Sequence, residues 1–239
     1  MTEESGKNRF DVDPEVLSLF PGMHLVVAIA TGLDNETENP DVDAAWHSAW
    51  LEAGRLDVVN AQSHPRVRAL REDFKAAGVS MKRFPISIES MLRRALKGGE
   101  PFRINPVVDL YNTLSLRYIC PAGAFDLDAM EANLELRFTT NQDCFTALDA
   151  QTPVNVETGE IAYASANTVL TRHCMWRQSL HALVGPGTRN VFFVSEIPGL
   201  AGEEVAFEME HDIKSALAKH FQRSCETFIL SASRTSLQW

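Results

Sequence analysis

The sequence contains few cysteines, and their spacing argues against the two common structural uses of this residue. Only four occur among 239 residues, at Cys120, Cys144, Cys174 and Cys225, and no two of them form a C-x-x-C pair. Such spacing matches neither a zinc site nor a disulfide framework. We therefore expect reduced thiols, as in a cytoplasmic protein, and no structural metal.

Positive charge is also scarce. The chain has 22 Lys and Arg against 32 Asp and Glu, which gives a net charge of −10. Broad binding of nucleic acid requires clustered Lys and Arg that neutralise phosphates. The composition therefore predicts no DNA partner, although it leaves room for a local basic patch.

Long apolar runs, repeats and low-complexity segments are absent as well. No run is long enough to cross a membrane, and the first residues, MTEESGKNRFDVD, lack the apolar centre of a signal peptide. We expect no membrane partner and a cytoplasmic location. Residues 1–13 are polar and are predicted to be weakly ordered. A chain of this length can bury one substantial core, so we predict a single domain over 1–239.

Apolar periodicity predicts an α+β fold. Helices occur mainly early and strands late, which favours mostly antiparallel sheets packed with helices. Apolar residues at helical spacing predict helices at 42–56, 65–77, 87–97 and 203–221, with a further helix from Asn105. Alternating or continuous apolar runs predict strands at 24–31, 133–138, 145–148, 159–163, 169–172, 190–195 and 227–231.

The most informative stretch is 103–128, RINPVVDLYNTLSLRYICPAGAFDLD, because polar side chains are set in a regular apolar pattern. Asn105 is a suitable N-cap and Pro106 a suitable first residue of a helix. Asp109 and Asn112 then follow at i+4 and i+7 and share the face of Asn105. The Pro-Ala-Gly-Ala sequence after the helix predicts a loop whose backbone a ligand can approach closely.

Residues 66–97 form the basic part of this acidic chain. Within them, Arg83, Arg93 and Arg94 are candidates for contacts with RNA. The alternative is that the cations near the end of a helix capped by Ser87 simply complement the helix dipole. The sequence leaves both interpretations open.

The polar pattern of the central stretch resembles a known family. Asn105, Asp109 and Asn112, followed by Pro-Ala-Gly-Ala-Phe-Asp at 121–126, resemble the editing module, or B-three/four domain, of the bacterial phenylalanyl-tRNA synthetase beta subunit. The similarity is greater still to free-standing proteins built from that module alone. One position departs from the family pattern, since the active-site histidine of the family is Gly123 here.

A second stretch supports the same resemblance. The segment 170–179, LTRHCMWRQS, and the sequence TRNV at 188–191 are similar to a signature of the free-standing group. The resemblance covers a core of about 66–196, with an N-terminal strand and helix and a C-terminal helix as additions. It implies a layered β/β/α sandwich, as in the editing domain of the synthetase.

The resemblance also implies a function, the deacylation of a mischarged aminoacyl-tRNA in trans. By this resemblance the protein positions a water and the substrate instead of using a strong nucleophile. Its partner is the aminoacylated 3′ end of tRNA, a free amino acid is a further ligand, and no cofactor is expected. The implied catalytic residues are Asn112, Arg177 and Gln178, and the implied substrate-binding residues are Arg103, Asn105, Tyr111, Ser115, Gly123, Arg172 and Trp176.

Several of these residues also have a structural interpretation. Asp109 and Asn112 can hold the following loop through bonds from side chain to backbone. Trp176 can be a core anchor, and Arg177 and Gln178 can satisfy buried carbonyls. For these residues the sequence does not distinguish structure from substrate contact.

Two further pairs suggest other chemistry. Asp126 and Asp128 resemble a metal-binding pair, as in a metal hydrolase, although Asp before a helix is more often an N-cap. His173 and Cys174 suggest a thiol nucleophile, but neighbours in a strand point to opposite faces, so Cys174 is interpreted as inert. A non-catalytic amino-acid or RNA binding protein of the same fold is the alternative to the enzyme, because Gly123 replaces the histidine and the chain is acidic.

Overall fold

The structure, a computed structural model, describes residues 9–239. Its helices are α1 Pro14–Ser18, α2 Pro40–Gly54, α3 Pro65–Ala76, α4 Ser87–Leu96, α5 Pro106–Tyr118 and α6 Gly202–Phe221, with 3₁₀ turns at Ala61–Ser63 and Gly199–Ala201. Its strands are β1 Arg9–Val12, β2 His24–Ala30, β3 Ala122–Asp126, β4 Leu134–Phe138, β5 Cys144–Phe145, β6 Val154–Asn155, β7 Ile161–Ser165, β8 Thr168–Arg172, β9 Arg177–Gln178, β10 Val191–Ile197, β11 Cys225–Leu230 and β12 Ser236–Gln238.

The smaller sheet has four antiparallel strands in the order β11-β2-β10-β3. Strand β2 is a nearly continuous apolar run because both of its faces are covered. Leu25 and Val27 point into one core, whereas Val26 and Ala28 point into another. The edge strand β3 pairs with β10 alone among the strands of this sheet.

The larger sheet has eight strands, in the order β12-β1-β4-β7-β8-β5-β6, with β9 paired to β8. Its pairings are antiparallel except for β1 with β4 and β5 with β8. Strands β1 and β12 lie together at one edge, so the first and last described segments are neighbours. The predicted α+β fold with mostly antiparallel sheets is confirmed.

The sheets and helices form three layers. An aromatic core lies between the sheets, where Phe10 of β1 meets Phe192 of β10 with ring centroids 5.2 Å apart. The opposite face of the smaller sheet packs on α5 and α6 through a second core that includes Val107, Phe193 and Met209. Helices α2, α3 and α4 extend the first core. This is the β/β/α layering that the resemblance implies.

Helix α5 begins as its sequence predicts. The Asn105 side chain accepts a hydrogen bond from the Val108 backbone N–H at 3.0 Å, and Pro106 occupies the first helical position. The helix ends at Tyr118, and the residue that caps it, Ile119, has a left-handed φ of 47°. Nearly all of its side chains are buried, because it lies between the smaller sheet and α2.

Three predictions of local structure are wrong. Within the predicted weakly ordered segment, Arg9–Val12 form β1 because the side chain of Phe10 is buried in the core between the sheets; residues 1–8 lie outside the described part of the chain. The predicted loop after Pro121 is strand β3, since β10 supplies its hydrogen bonds. Ser87 is the first residue of α4, and the preceding Ile86 makes no side-chain cap bond.

Two further observations concern membrane spans and cysteines. Between Arg9 and Trp239, no helix combines the length and apolar character that crossing a membrane requires. All four cysteines are free. Cys120 and Cys174 are buried, and the other two are partly exposed.

Candidate active site

A cavity of about 420 Å³ lies between the two sheets, α4 and α5. Its wall combines the edge strand β3, the end of β10, side chains from both helices, and the hairpin that joins β8 to β9. The volume falls within the range typical of small-molecule sites. The lining residues are Ser87, Ser90, Met91, Arg94, Phe102, Ile104, Val108, Tyr111, Asn112, Pro121, Ala122, Gly123, Ala124, Phe125, Tyr163, Thr171, Cys174, Met175, Trp176, Gln178, Val194 and Glu196.

Most of the cavity wall is apolar. Met91, Val108 and Phe125 are buried in the surrounding cores, and Trp176 closes one side. The Trp176 ring packs against Phe84, with centroids 4.7 Å apart. A wall of this kind favours an apolar or aromatic group of a ligand, because such a group is removed from water on binding.

One carboxylate, that of Glu196, is buried among these apolar groups. Val194 and Glu196 are two residues apart on β10 and therefore share one face of the strand. Glu196 is 3% exposed, and its Oε1 accepts a hydrogen bond of 2.7 Å from the Tyr163 hydroxyl. Burial raises the pKa of the Glu196 carboxyl to about 7, and the bond from Tyr163 opposes part of this rise. Glu196 therefore changes charge near neutral pH.

Two side-chain amides lie on the cavity wall. The Asn112 side chain forms no hydrogen bond within residues 9–239, although it is only 7% exposed. Gln178 donates from Nε2 to the Ala124 carbonyl of β3 at 2.9 Å. Buried polar groups normally find partners, so the amide of Asn112 is available to a ligand or a water. The bond from Gln178 fixes the edge strand against the hairpin.

The hairpin between β8 and β9 has a strained turn that a buried carboxylate holds. His173 and Cys174 have φ angles of 45° and 42°, in the left-handed region. The Glu160 carboxylate accepts from Arg172 Nη2 at 2.6 Å and from the His173 backbone N–H at 2.9 Å. These bonds fix the backbone on which Met175 and Trp176 face the cavity.

The structure gives no support to a thiol nucleophile in this hairpin. Burial raises the pKa of the Cys174 thiol well above its ordinary value. Burial also lowers the pKa of His173, so its ring is neutral at physiological pH. A neutral imidazole does not stabilise a thiolate, and the interpretation of Cys174 as inert stays a prediction.

Five residues that the sequence nominates for catalysis or substrate binding line the cavity. Asn112 and Tyr111 come from α5, Gly123 from β3, and Trp176 and Gln178 from the hairpin and β9. These positions are distant in sequence, and the pairing of β3 with β10 together with the hairpin brings them to one place.

The structure places the other five nominated residues outside the cavity wall. The Arg177 Nη2 lies 2.7 Å from Asp149 at the surface. Arg103 pairs with Asp43, and Arg172 pairs with Glu160. Asn105 donates to the Val184 carbonyl, and Ser115 donates to the Cys120 carbonyl.

The three arginines predicted to contact RNA have different surroundings. Arg93 pairs with the buried Glu89 on its own helix. The Arg94 guanidinium lies 5.1 Å from the Phe102 ring centre and lines the cavity. Arg83 is exposed, with its guanidinium 5.0 Å from the Phe84 ring centre.

The carboxylates of Asp126 and Asp128 accept hydrogen bonds from neighbouring protein groups. Asp126 accepts from the Asp128 backbone N–H at 3.0 Å and from the Thr188 hydroxyl at 2.6 Å. Asp128 accepts from the Asn190 amide at 2.9 Å. Within residues 9–239, no group of three His, Cys, Asp or Glu side chains is placed to hold a metal ion. The predicted N-cap role is wrong, because Asp126 ends strand β3 and the next element along the chain is strand β4.

Sequence reasoning missed Glu196 and Tyr163. A signal for Glu196 is present in the strand VFFVSEI, where one carboxylate stands in an otherwise apolar run. A charged group in a buried strand requires a partner or an altered pKa. Tyr163 gives no such signal, because the pairing between sheets determines what it meets.

Gly123 has room for a side chain, which leads to a prediction about stability. A Cβ atom built on Gly123 meets no atom within 4 Å, and its φ lies outside the left-handed region. Gly123→Ala is expected to raise the free energy of unfolding by about 0.4–1 kcal/mol, because alanine has fewer unfolded conformations. Chemical denaturation of both proteins measures the difference.

Gly199 supplies the matched control for this substitution. A Cβ on Gly199 would lie 2.1 Å from the Pro21 carbonyl oxygen, so Gly199→Ala must displace backbone and is expected to destabilise the protein. Equal destabilisation by both substitutions would contradict the open space at Gly123.

Comparison with known proteins identifies the family. Residues 70–235 match the family described as the B3/4 domain, whereas no curated protein matches the chain. A solved structure, the N-terminal fragment of the phenylalanyl-tRNA synthetase beta-subunit from Pyrococcus horikoshii, is similar at 12% identity and a TM-score of 0.48. The similarity covers 96% of this chain and 56% of that one, so the protein spans about half of the fragment's length. Because the family match covers more than half of its sequence, the protein belongs to the B3/4 domain family.

Proposed function

We propose that the protein is a deacylase that hydrolyses a mischarged aminoacyl-tRNA in trans through a positioned water. The observation that carries the proposal is the cavity, in which an apolar wall meets the buried carboxyl of Glu196 and the amide of Asn112, which has no partner among residues 9–239. Membership of the B3/4 family supports a tRNA-related substrate. The proposed compartment is the cytoplasm, where free cysteines are normal.

The proposed reaction breaks the ester between the amino acid and the tRNA ribose. Water adds to the carbonyl carbon, negative charge develops on the carbonyl oxygen, and the ribose oxygen leaves with a proton. The products are a free amino acid and free tRNA. Amide N–H groups aimed at the developing charge stabilise it more than they stabilise the ester, and this difference accelerates the reaction.

Four features of the cavity wall have a proposed part in this reaction. The apolar wall holds the side chain of the amino acid, and the Asn112 amide donates to the carbonyl oxygen or to the attacking water. Gln178 fixes β3 through Ala124, which sets the width of the cavity. The open space at Gly123 leaves room for a water where the family has a histidine.

The test is the release of amino acid from a panel of mischarged tRNAs. Asn112→Ala is expected to lower kcat/KM on the best substrate by on the order of tenfold to a hundredfold, because one hydrogen-bond donor is lost in the transition state. Asn141→Ala, an exposed asparagine in the turn after β4, is the matched control and should retain the wild-type rate. No release from any member of a complete panel by the folded wild type rejects the proposal.

Arg177→Ala in the same assay tests the catalytic role predicted from the sequence. A slower release is the predicted result. A rate equal to that of the wild type would restrict the site to the cavity residues, because Arg177 lies beside Asp149 at the surface.

A non-catalytic binding protein is the second candidate, and Gly123 is the observation that favours it. The family histidine is replaced by a residue without functional groups, while the cavity itself is retained. Saturable binding of a free amino acid without any hydrolysis supports this function over the first. Isothermal titration with the amino acids of the panel measures such binding.

A further inference from the structure

A second cavity, of about 360 Å³, opens between α3 and the segment 79–82 that follows it. Four of its lining residues are cations, namely Arg68, Arg71, Lys75 and Lys82, and Glu72 is the one carboxylate among the lining residues described. We call these four cations the basic groove. Such a concentration of positive charge stands out in a chain whose net charge is −10.

Three cations of the basic groove are available to a ligand. Arg68, Lys75 and Lys82 are exposed, and their side chains form no ion pair or hydrogen bond in the described part of the chain. Arg71 differs, because its Nη1 lies 2.6 Å from the buried Glu89 carboxylate. Unpaired cations that line a concave surface favour a ligand with several negative charges.

The basic groove is linked to the candidate active site in two ways. Ser87, which lines the first cavity, follows Lys82 by only five positions, so the Cα atoms of these two residues lie within about 17 Å of each other. Between them, Phe84 packs against Trp176 of the first cavity. In addition, Arg71 bonds Glu89 on α4, the helix that contributes Met91 to the same cavity.

From this arrangement we propose that the basic groove binds backbone phosphates of the RNA whose aminoacylated end occupies the first cavity. The inference deepens the proposed function and rests on it for the position of the 3′ end. Phosphates repeat along an RNA strand, and three separate cations along one groove match a repeating anion better than a single one. The groove thus supplies the phosphate contacts that the sequence assigns in part to Arg93, whose guanidinium is instead paired with Glu89.

The experiment measures binding instead of hydrolysis, so it remains informative if the protein is not a deacylase. Uncharged tRNA is titrated with wild type and with the triple variant Arg68→Ala, Lys75→Ala, Lys82→Ala at several salt concentrations, by fluorescence anisotropy. The triple variant is expected to bind on the order of tenfold more weakly at 0.1 M salt. Its slope of log K against log salt should be smaller by about 2 to 3, because each lost phosphate contact removes nearly one unit.

Lys219→Ala is the matched control. Lys219 is exposed near the C-terminal end of α6. The N-terminal end of α6 adjoins the 3₁₀ turn that packs on α3, and Lys219 lies about 25 Å further along the helix. It should bind tRNA as the wild type does, with the same slope. Each single variant of the groove should show part of the loss, so the test survives if the triple variant is unstable.

Four results would overturn the inference. The first three are the absence of salt-dependent tRNA binding by the wild type, an unchanged affinity and slope in the triple variant, and an equal loss in Lys219→Ala. Displacement of tRNA by micromolar inorganic phosphate at constant ionic strength would also overturn it, because free phosphate would then be the ligand. Normal RNA binding by the groove together with silence in the deacylation panel would retain this inference and reject the proposed function.

Discussion

Glu89→Ala is expected to destabilise the protein by about 3 kcal/mol, the lower end of the range for breaking a buried ion pair. The Glu89 side chain is 1% exposed and is surrounded by charge-assisted hydrogen bonds. Gln62 Nε2 donates to it at 2.9 Å, Arg71 Nη1 at 2.6 Å, and Arg93 also donates. Removing the carboxylate leaves Arg71 partly buried without its anion, whereas the more exposed Arg93 can turn to water.

Urea denaturation of the wild type and the variant measures this loss. The matched control is Glu72→Ala on α3, an exposed carboxylate whose removal should change stability by less than about 0.5 kcal/mol. Arg71→Ala should cost more than Arg93→Ala, because Arg71 is the more buried partner. A loss below about 1 kcal/mol for Glu89→Ala would mean that water already solvates this group in the folded protein.

The ion pairs of Glu89 show what the composition of the basic segment 66–97 does not reveal. Composition indicates that cations are concentrated there, but it does not tell which of them face solvent. Arg93 pairs with Glu89 one turn away on α4 itself, whereas Arg71 reaches the same carboxylate from α3. Glu89 has no sequence signal of its own, because an acidic residue in a helix is ordinarily exposed.

The local sequence pattern predicts an element well where the residues of that element alone determine its structure. Helix α5 follows from the Asn105 cap and the proline after it, and β2 follows from an apolar run of strand length. The pattern fails where pairing with a segment distant in the sequence determines the structure. Strand β3 has the weak β-formers Ala-Gly-Ala, and it is a strand because β10 pairs with it.

The candidate site shows the same division. Asn112 and Gly123 were found because they lie close to the well-patterned α5. The sequence nominates Arg177 and Gln178 together, but it does not tell which of them faces the ligand, and the short strand β9 turns only Gln178 toward the cavity. The surroundings of Glu196 depend on both sheets, because Tyr163 from the larger sheet donates a hydrogen bond to its carboxyl. A pattern within one strand therefore does not predict them.

At pH 8, Glu196→Gln is expected to raise the free energy of unfolding by about 3 kcal/mol. The folded pKa of Glu196 is about 7 against an ordinary value of 4.5, and a shift of this size corresponds to roughly 3 kcal/mol. The cause is burial, which disfavours the charged carboxylate. Glutamine has a similar volume and keeps an oxygen that accepts the bond from the Tyr163 hydroxyl, so the variant removes the charge and retains the contact.

The sign of the pH dependence follows from where the proton is bound. Below pH 4.5 the group is protonated in both states, and burial of the neutral acid carries no charge penalty. Between pH 4.5 and 7 the unfolded chain releases the proton while the folded protein keeps it, so wild-type stability falls as the pH rises. Above pH 7 both states are ionised and the penalty is constant, because the folded protein must then bury the charge.

Denaturation at pH 5 and pH 8 separates this effect from any general change in stability. The advantage of Glu196→Gln over the wild type should be small at pH 5 and should reach about 3 kcal/mol at pH 8. Glu226→Gln, on β11 of the same sheet, is the matched control, and its effect should be alike at both pH values because its side chain is exposed. The same advantage for Glu196→Gln at both pH values would mean that the cavity admits enough water to keep its carboxylate solvated.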